Sequence, residues 1–306
     1  MRYGSAEPKP FAFVDIKGAP KREDYVPHDT YSGLTGKLEL TIEVISDYLF
    51  VGSGNYDFRE RDKLVYYSFF RTNGNITIPG TSIKGAVRSV AEAISNSCVS
   101  QRKKGRGEEK CASSHFECEF KPEKEKKELC PACSLFGTTG YGGRVSFSDA
   151  STFSKIEPEV VKISELWGPR INKGRRKFYQ NKRFNPVGNL KPERNYRLVE
   201  AIKKASKFCT TLGFQNVSEA ELSLLLHAMG IEQQYRIKIG GAKPRCFGTV
   251  RFTAGEFKVL SVDLLSFEKK PISEVMMNND LIETEHLEQF KKEISKEEEL
   301  CPKEMY

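Results

Sequence analysis

Residues 75–94 read NITIPGTSIKGAVRSVAEAI, and the stretch changes character halfway. NITI is a short β-run, Pro79-Gly80 punctuates it, and the remainder predicts a helix with Ile83, Val87, Val90 and Ile94 in an apolar stripe. Thr81 or Ser82 is placed to cap that helix. Lys84 and Arg88, four residues apart, share one of its faces. Two uses of such a start are open. The free N–H groups and positive dipole of a helix N-terminus suit a phosphate, with Lys84 and Arg88 extending the seat. The plainer use is a solvated face.

Working outward, GKLELTIEVISDYLFVG (36–52) alternates apolar and polar residues and predicts a long strand, and DKLVYYSFFRT (62–72) is β-rich. GRVSFSDAS (143–151) is a further strand, and KFCTTLGFQ (207–215) another. NYRLVEAIKKA (195–205) has the composition of a short helix, and SEAELSLLLHAMG (218–230) that of a capped amphipathic helix ending at Gly230. QYRIKIGGAKPRCFGTVRFT (234–253) predicts strand, glycine loop, strand. Irregular alternation of this kind indicates an α+β fold rather than a doubly wound parallel sheet. Residues 1–35 form an N-terminal arm with little core of its own, residues 36–270 the core, and residues 271–306 a charged tail, either a peripheral helix or frayed.

The 306 residues carry 49 Lys and Arg against 41 Asp and Glu, a net charge of +8, which favours a polyanionic partner. Much of the excess lies between Arg170 and Arg197, where ten basic residues face the single acid Glu193. Within that region, Arg175, Arg176, Lys177, Phe178 and Tyr179 interleave cations with aromatics, as phosphate contact and base stacking require. Gly240 and Gly241 allow close backbone approach, with Lys243 and Arg245 as adjacent cations. Each of these features alone fits an ordinary hairpin turn or core ring; their joint occurrence points to RNA. No apolar run is long enough to span a bilayer and the first residues lack a signal-peptide pattern, so the sequence implies a cytoplasmic protein with reduced thiols.

Eight cysteines then need a reason other than disulfides. Cys130 and Cys133 form a C-x2-C knuckle that lets two thiolates reach one metal, and Cys118 is the next ligand. Cys98 or Cys111 supplies the fourth, with His115 a further candidate. A structural zinc would staple the hydrophilic 98–133 segment, which has no core pattern of its own. Catalytic zinc is disfavoured because no H-E-x-x-H pattern accompanies these residues.

Taken in order, IPGTSIKGAVRS (78–89), the cysteine segment, CPACSLFG (130–137), GRVSFSDA (143–150), GRRKFY (174–179) and GGAKPRCFG (240–248) resemble RAMP-type backbone subunits of type III CRISPR effector complexes. The resemblance is nearest to the zinc-containing type III-D-like branch and covers roughly residues 36 to 255. It implies a modified RNA-recognition-motif (ferredoxin-like) fold with an antiparallel sheet and a thumb-like insertion, here about residues 165–200. It also implies copies stacked along a CRISPR guide RNA that pairs with target RNA, alongside other effector subunits. Active members of the family cleave target RNA with an aspartate on the loop after the first strand. In GSGNYDFRERDKLVYY (52–67), Asp62 matches that position best and Asp57 next. The implied chemistry is attack of a ribose 2′-OH assisted by Mg or another divalent ion. Some relatives leave cutting to a separate nuclease. Two other functions remain open: a repeat-processing endoribonuclease, which would call on His28, His115, His227 or His286, and a zinc-stabilised protein-interaction module.

Overall fold

The computed structural model describes residues 9–100, 103–104, 108–109, 111–166, 174–261, 266–296 and 299–303. Part of the expected thumb-like region, residues 167–173, lies outside the described residues, as do residues 1–8 of the arm.

The strand Leu34–Val44 organises the molecule. Its alternation sends Leu38, Leu40, Ile42 and Val44 into the core and leaves Lys37 and Glu39 exposed. It pairs antiparallel on one side with Lys207–Val217, placing Ile42 opposite Phe208, and on the other with Thr249–Leu260, placing Ile42 opposite Phe252. The sheet runs on antiparallel through Ala150–Thr152, Asn75–Ile78 and Arg71–Thr72 at one edge, and through Ile237–Lys238 at the other. One face is apolar and one is wet, as half-covered antiparallel sheets are. Among the described residues five α-helices accompany it: α1 (Gly80–Ile94), α2 (Pro131–Phe136), α3 (Glu219–Met229), α4 (Ile272–Met276) and α5 (Thr284–Ile294). Ile83, Val87, Val90 and Ile94 of α1 and Leu222, Leu225, Leu226 and Met229 of α3 join the same hydrophobic cluster as the inner face of the sheet.

A second sheet joins Glu159–Ser164, Tyr196–Lys203, Leu64–Phe69 and Gly52–Arg59. Residues 196–203 are therefore a strand and not the expected helix. Glu159–Ser164 pairs with it residue by residue, and Val199 meets Tyr67 on its other edge. Burial of Leu198 through Ile202 on both faces overrides a neutral local propensity.

The arm is anchored to the basic segment: Phe11–Asp15 pairs antiparallel with Arg175–Tyr179 and buries Val14. The RRKFY segment is consequently a paired strand. The C-terminal region takes the helical alternative: α5 buries His286, Leu287, Phe290 and Ile294 along one face. The expectation that the cysteines are all thiols is overturned, since Cys246 and Cys301 form a disulfide. No described helix is long and apolar enough to cross a membrane.

Candidate nucleic-acid interface and metal centre

The start of α1 departs from the capping expected of it. Pro79 is the cap residue, and the carboxylate of Asp149 accepts from the Gly80 amide at 2.8 Å. Neither Thr81 nor Ser82 caps, and the dipole already faces a carboxylate. Gly80 is required there for a different reason: a Cβ would lie 2.0 Å from the Phe147 carbonyl oxygen, so only glycine lets the helix start against that strand.

Lys84 and Arg88 turn inward rather than toward an open face. Lys84 donates to the Val145 carbonyl at 2.8 Å, and burial beside Arg88 lowers its ammonium pKa. Arg88 pairs with Glu92 at 2.9 Å and Glu117 at 3.2 Å, and donates to the Gly137 carbonyl at 2.8 Å. It also reaches the Cys133 Sγ at 3.6 Å. Burial opposes its charge, but Glu92, Cys133 and Glu117 together hold the guanidinium above its ordinary range. The exposed stripe of α1 is instead Thr81, Gly85 and Ser89, one helical turn apart.

That stripe forms one wall of a cleft of about 480 Å³. Lys177, Phe178 and Tyr179 form a second wall, and Gly240, Gly241 and Lys243 a third. Eight residues singled out by sequence (Thr81, Ser82, Lys177, Phe178, Tyr179, Gly240, Gly241 and Lys243) thus meet on one surface, and among the described residues no acid lines it. The glycine loop is held by the fold itself: Gly240 has φ +76°, its Cβ would sit 2.3 Å from the Phe50 carbonyl, and the Gly241 amide donates to that carbonyl at 2.7 Å. Lys177 lies 3.9 Å from the centroid of Phe11 and 5.0 Å from that of Tyr179, a cation between aromatic faces. Lys243 Nζ has no hydrogen-bond or ion-pair partner among the described residues, and burial lowers its pKa to about 8. Phe178 meets Phe290 edge to face at 4.9 Å, so that ring is partly committed to packing.

Besides Lys84 and Arg88, three more of the expected cations do not enter the cleft. Arg245 is buried and donates to the carbonyls of Ser164 and Glu165. Arg176 is buried and donates to the carbonyls of Ser97 and Cys98. Arg175 pairs with Asp15 at 3.2 Å. Conversely, Gly85, Ser89, Arg236, Phe290 and Ile294 line the cleft without having been anticipated. The Thr81–Gly85–Ser89 spacing was a legible signal for the first two.

Asp62 ends a short 3-10 turn and makes a bidentate pair with Arg59, at 2.9 and 2.5 Å. That side-chain hydrogen bond holds its carboxyl below the usual range. Asp57 accepts from the Phe58 amide and the Tyr66 hydroxyl. Neither aspartate lines the cleft, nor does any histidine. His227 faces the Ser223 carbonyl, His115 contacts the Gly18 carbonyl, and His28 stacks on Tyr141.

Beneath α1, the thiols of Cys98, Cys118, Cys130 and Cys133 lie within 4.8 Å of one another, all buried. Cys111 stands apart at 3.9 Å from the His115 carbonyl, and His115 is likewise outside the set. Cys98 Sγ is 3.3 Å from Cys133 Sγ and 3.5 Å from Cys130 Sγ. A tetrahedral Zn–S4 centre needs sulfur separations of about 3.8 Å, a few tenths more. The backbone amides of Cys98 and Cys130 point at neighbouring sulfurs at 3.4 and 3.3 Å, as they do around thiolates. Hydrogen bonds from Cys130, Cys133 and Cys98 hold the Cys118 thiol low, while Cys98 and Cys133 are pushed up. Four thiols this close cannot all ionise by themselves, whereas a soft divalent cation would allow it. The donor set fits zinc, and Arg88 would offset the negative charge of the centre.

A family model described as the RAMP superfamily matches residues 41–251, a span that includes α1, all four clustered cysteines and the glycine loop. No curated protein matches the chain.

Proposed function

The chain belongs to the RAMP superfamily, and on that premise we propose that it is a guide-RNA-binding backbone subunit of a CRISPR effector complex, holding the RNA backbone in the cleft between α1, the RRKFY strand and the glycine loop. The observation that carries this reading is a cleft that presents Lys177, Lys243 and the small-residue stripe of α1 with no acid among the described residues that line it. A sugar-phosphate backbone needs close approach and positive charge, and the stripe offers approach where Lys84 and Arg88 would have blocked it.

Zinc at Cys98, Cys118, Cys130 and Cys133 has a structural role in this account, pinning the cysteine segment under α1. The type III-D-like assignment, the RNA-recognition-motif description of the sheet and the stacking of copies along the guide belong to the same proposal. They rest on the family and on the motif order.

Target cleavage by this chain is a second reading, with Asp57 now the better placed aspartate because Asp62 is spent on Arg59. The test of the main reading is purification from cells that express a guide. Co-purifying RNA of defined length, lost when Lys177 and Lys243 are both changed to Glu, supports it. RNA retained at the wild-type ratio overturns it.

A further inference from the structure

The Lys243 side of the cleft is built on a turn that is unusual at both ends. Lys243–Arg245 is a single 3-10 turn flanked by Ala242 at φ +51° and Cys246 at φ +64°. Residues carrying a Cβ disfavour that left-handed region, so something must hold both there. Cys246 is held covalently: its disulfide runs to Cys301, 55 residues away.

Cys301 in turn belongs to a strap formed by residues 299–303. Its amide donates to the Arg183 carbonyl at 2.8 Å, and the Arg183 amide donates to the Glu299 carbonyl at 2.8 Å. Asn185 Nδ2 donates to the Cys301 carbonyl at 3.1 Å, and Lys182 pairs with Glu299 at 2.6 Å. The Ser164 hydroxyl donates to the Lys303 carbonyl at 2.6 Å, and Cys301 is buried beside Leu300, which is 57% exposed. Local opening of this short segment brings the buried sulfur within reach of a reductant.

We propose that the Cys246–Cys301 disulfide is a redox latch that fixes the Lys243 turn, and that its reduction by a dithiol frees the strap and weakens anion binding in the cleft. The reaction is thiol–disulfide exchange. A dithiol thiolate attacks Cys301 Sγ and the Cys246–Cys301 bond breaks, with Cys246 leaving as a thiolate that takes a proton. The second thiol of the reductant then attacks the mixed disulfide and releases Cys301 as a thiol. The reductant ends as its own disulfide, having passed two electrons and two protons to the protein. The other close group of cysteines, Cys98, Cys118, Cys130 and Cys133, is separate from this pair. With the latch open, the turn keeps the Arg245 bonds to the Ser164 and Glu165 carbonyls and the Lys238 bond to the Cys246 carbonyl, but it loses its covalent tie to the strap, and with it part of what fixes Lys243 facing Gly240 and Gly241.

The effect on RNA rests on the function proposed above; the effect on the turn does not. The full-length, zinc-loaded protein is compared before and after dithiothreitol, with zinc content measured in parallel. Three readouts are taken: alkylation of Cys246 and Cys301 by mass, acetic anhydride labelling of Lys243, and binding of a fluorescent single-stranded oligoribonucleotide. The latch predicts that reduction exposes both thiols, changes the labelling rate of Lys243 severalfold and weakens RNA binding about tenfold, or about 1.4 kcal/mol. Cys301→Ser should reproduce the reduced values without reductant, which separates the latch from any loss of zinc. Labelling unchanged on reduction, or both thiols free in the untreated protein under air, overturns the latch. Failure of the oxidised protein to bind RNA at all would instead defeat the functional reading and leave the labelling result to decide the latch.

Discussion

Replacing Arg88 by Ala should unfold the region around the cysteine centre before it affects any RNA contact. The guanidinium serves Glu92, Glu117, the Gly137 carbonyl and Cys133 Sγ at once. Its side chain is only 17% exposed and that of Glu92 only 6%. Removing one member of a buried pair leaves the other charge uncompensated, at a cost of about 3–5 kcal/mol. Among the described residues Glu92 would retain the Ser100 amide at 3.3 Å and the nearby charge of Arg176. For a chain of this size the loss corresponds to a melting temperature lower by roughly 5–8 °C. Lys84→Ala is the contrast: it gives up one hydrogen bond to the Val145 carbonyl, worth about 1 kcal/mol, and relieves a buried charge. The assay is thermal unfolding of both variants with zinc content by a colorimetric chelator and oligoribonucleotide binding at a temperature where each is folded. Arg88→Ala should melt early and hold zinc weakly, while Lys84→Ala stays near wild type in all three. The reasoning fails if Arg88→Ala keeps its stability and zinc yet loses RNA, the outcome expected of a solvent-facing phosphate ligand.

Other consequences follow from the same contacts. Cys98→Ser should remove the metal and destabilise the 98–133 segment, whereas Cys111→Ser should leave zinc stoichiometry unchanged; metal analysis of the two variants separates them. Glu221→Ala breaks both its buried pair with Arg144 and the capping box of Ser218, and should cost about 3–5 kcal/mol in denaturant unfolding. Because the Lys243 pKa is lowered to about 8 from 10.5, the amine is charged below that value and neutral above it. RNA binding should therefore weaken as pH rises through 8, up to about tenfold by a pH one unit higher, while Lys243→Arg stays flat. Fold stability moves the other way, rising between about 8 and 10.5, since there the unfolded chain binds the proton that the fold releases. In an assembled complex, Asp57→Ala should affect any target cleavage more than Asp62→Ala does; equal and complete retention in both removes this chain from the chemistry.

Local physics was the part of this molecule most legible in its sequence. The helix 219–229 announces itself through Ser218 and Glu221, whose reciprocal capping bonds both form, and through Gly230 in the left-handed conformation. The C-x2-C knuckle announced the metal set, and Cys118 followed. Distance in the chain hid the rest. Cys98 and Cys111 are equivalent by spacing and were separated only by the packing of α1 over the knuckle. Arg88 and Glu92 form a readable i,i+4 pair, but nothing local tells that Gly137 and Cys133 complete the burial of Arg88. Tyr196–Lys203 is a strand because its partners lie more than thirty residues away, beyond the reach of propensity. The tail was judged by its charge, although His286, Leu287, Phe290 and Ile294 already carried the period of a buried helix face. The cleft itself was half visible: its residues were named, but through cations on the wrong face of α1.

The most direct test is the salt dependence of single-stranded RNA binding in the wild type and in Lys177→Ala/Lys243→Ala. Removing two phosphate contacts should make the slope of log K against log salt shallower by about 1.4, with melting temperature and zinc content preserved. An unchanged slope and affinity would mean that the RNA lies elsewhere and that the cleft is not its seat.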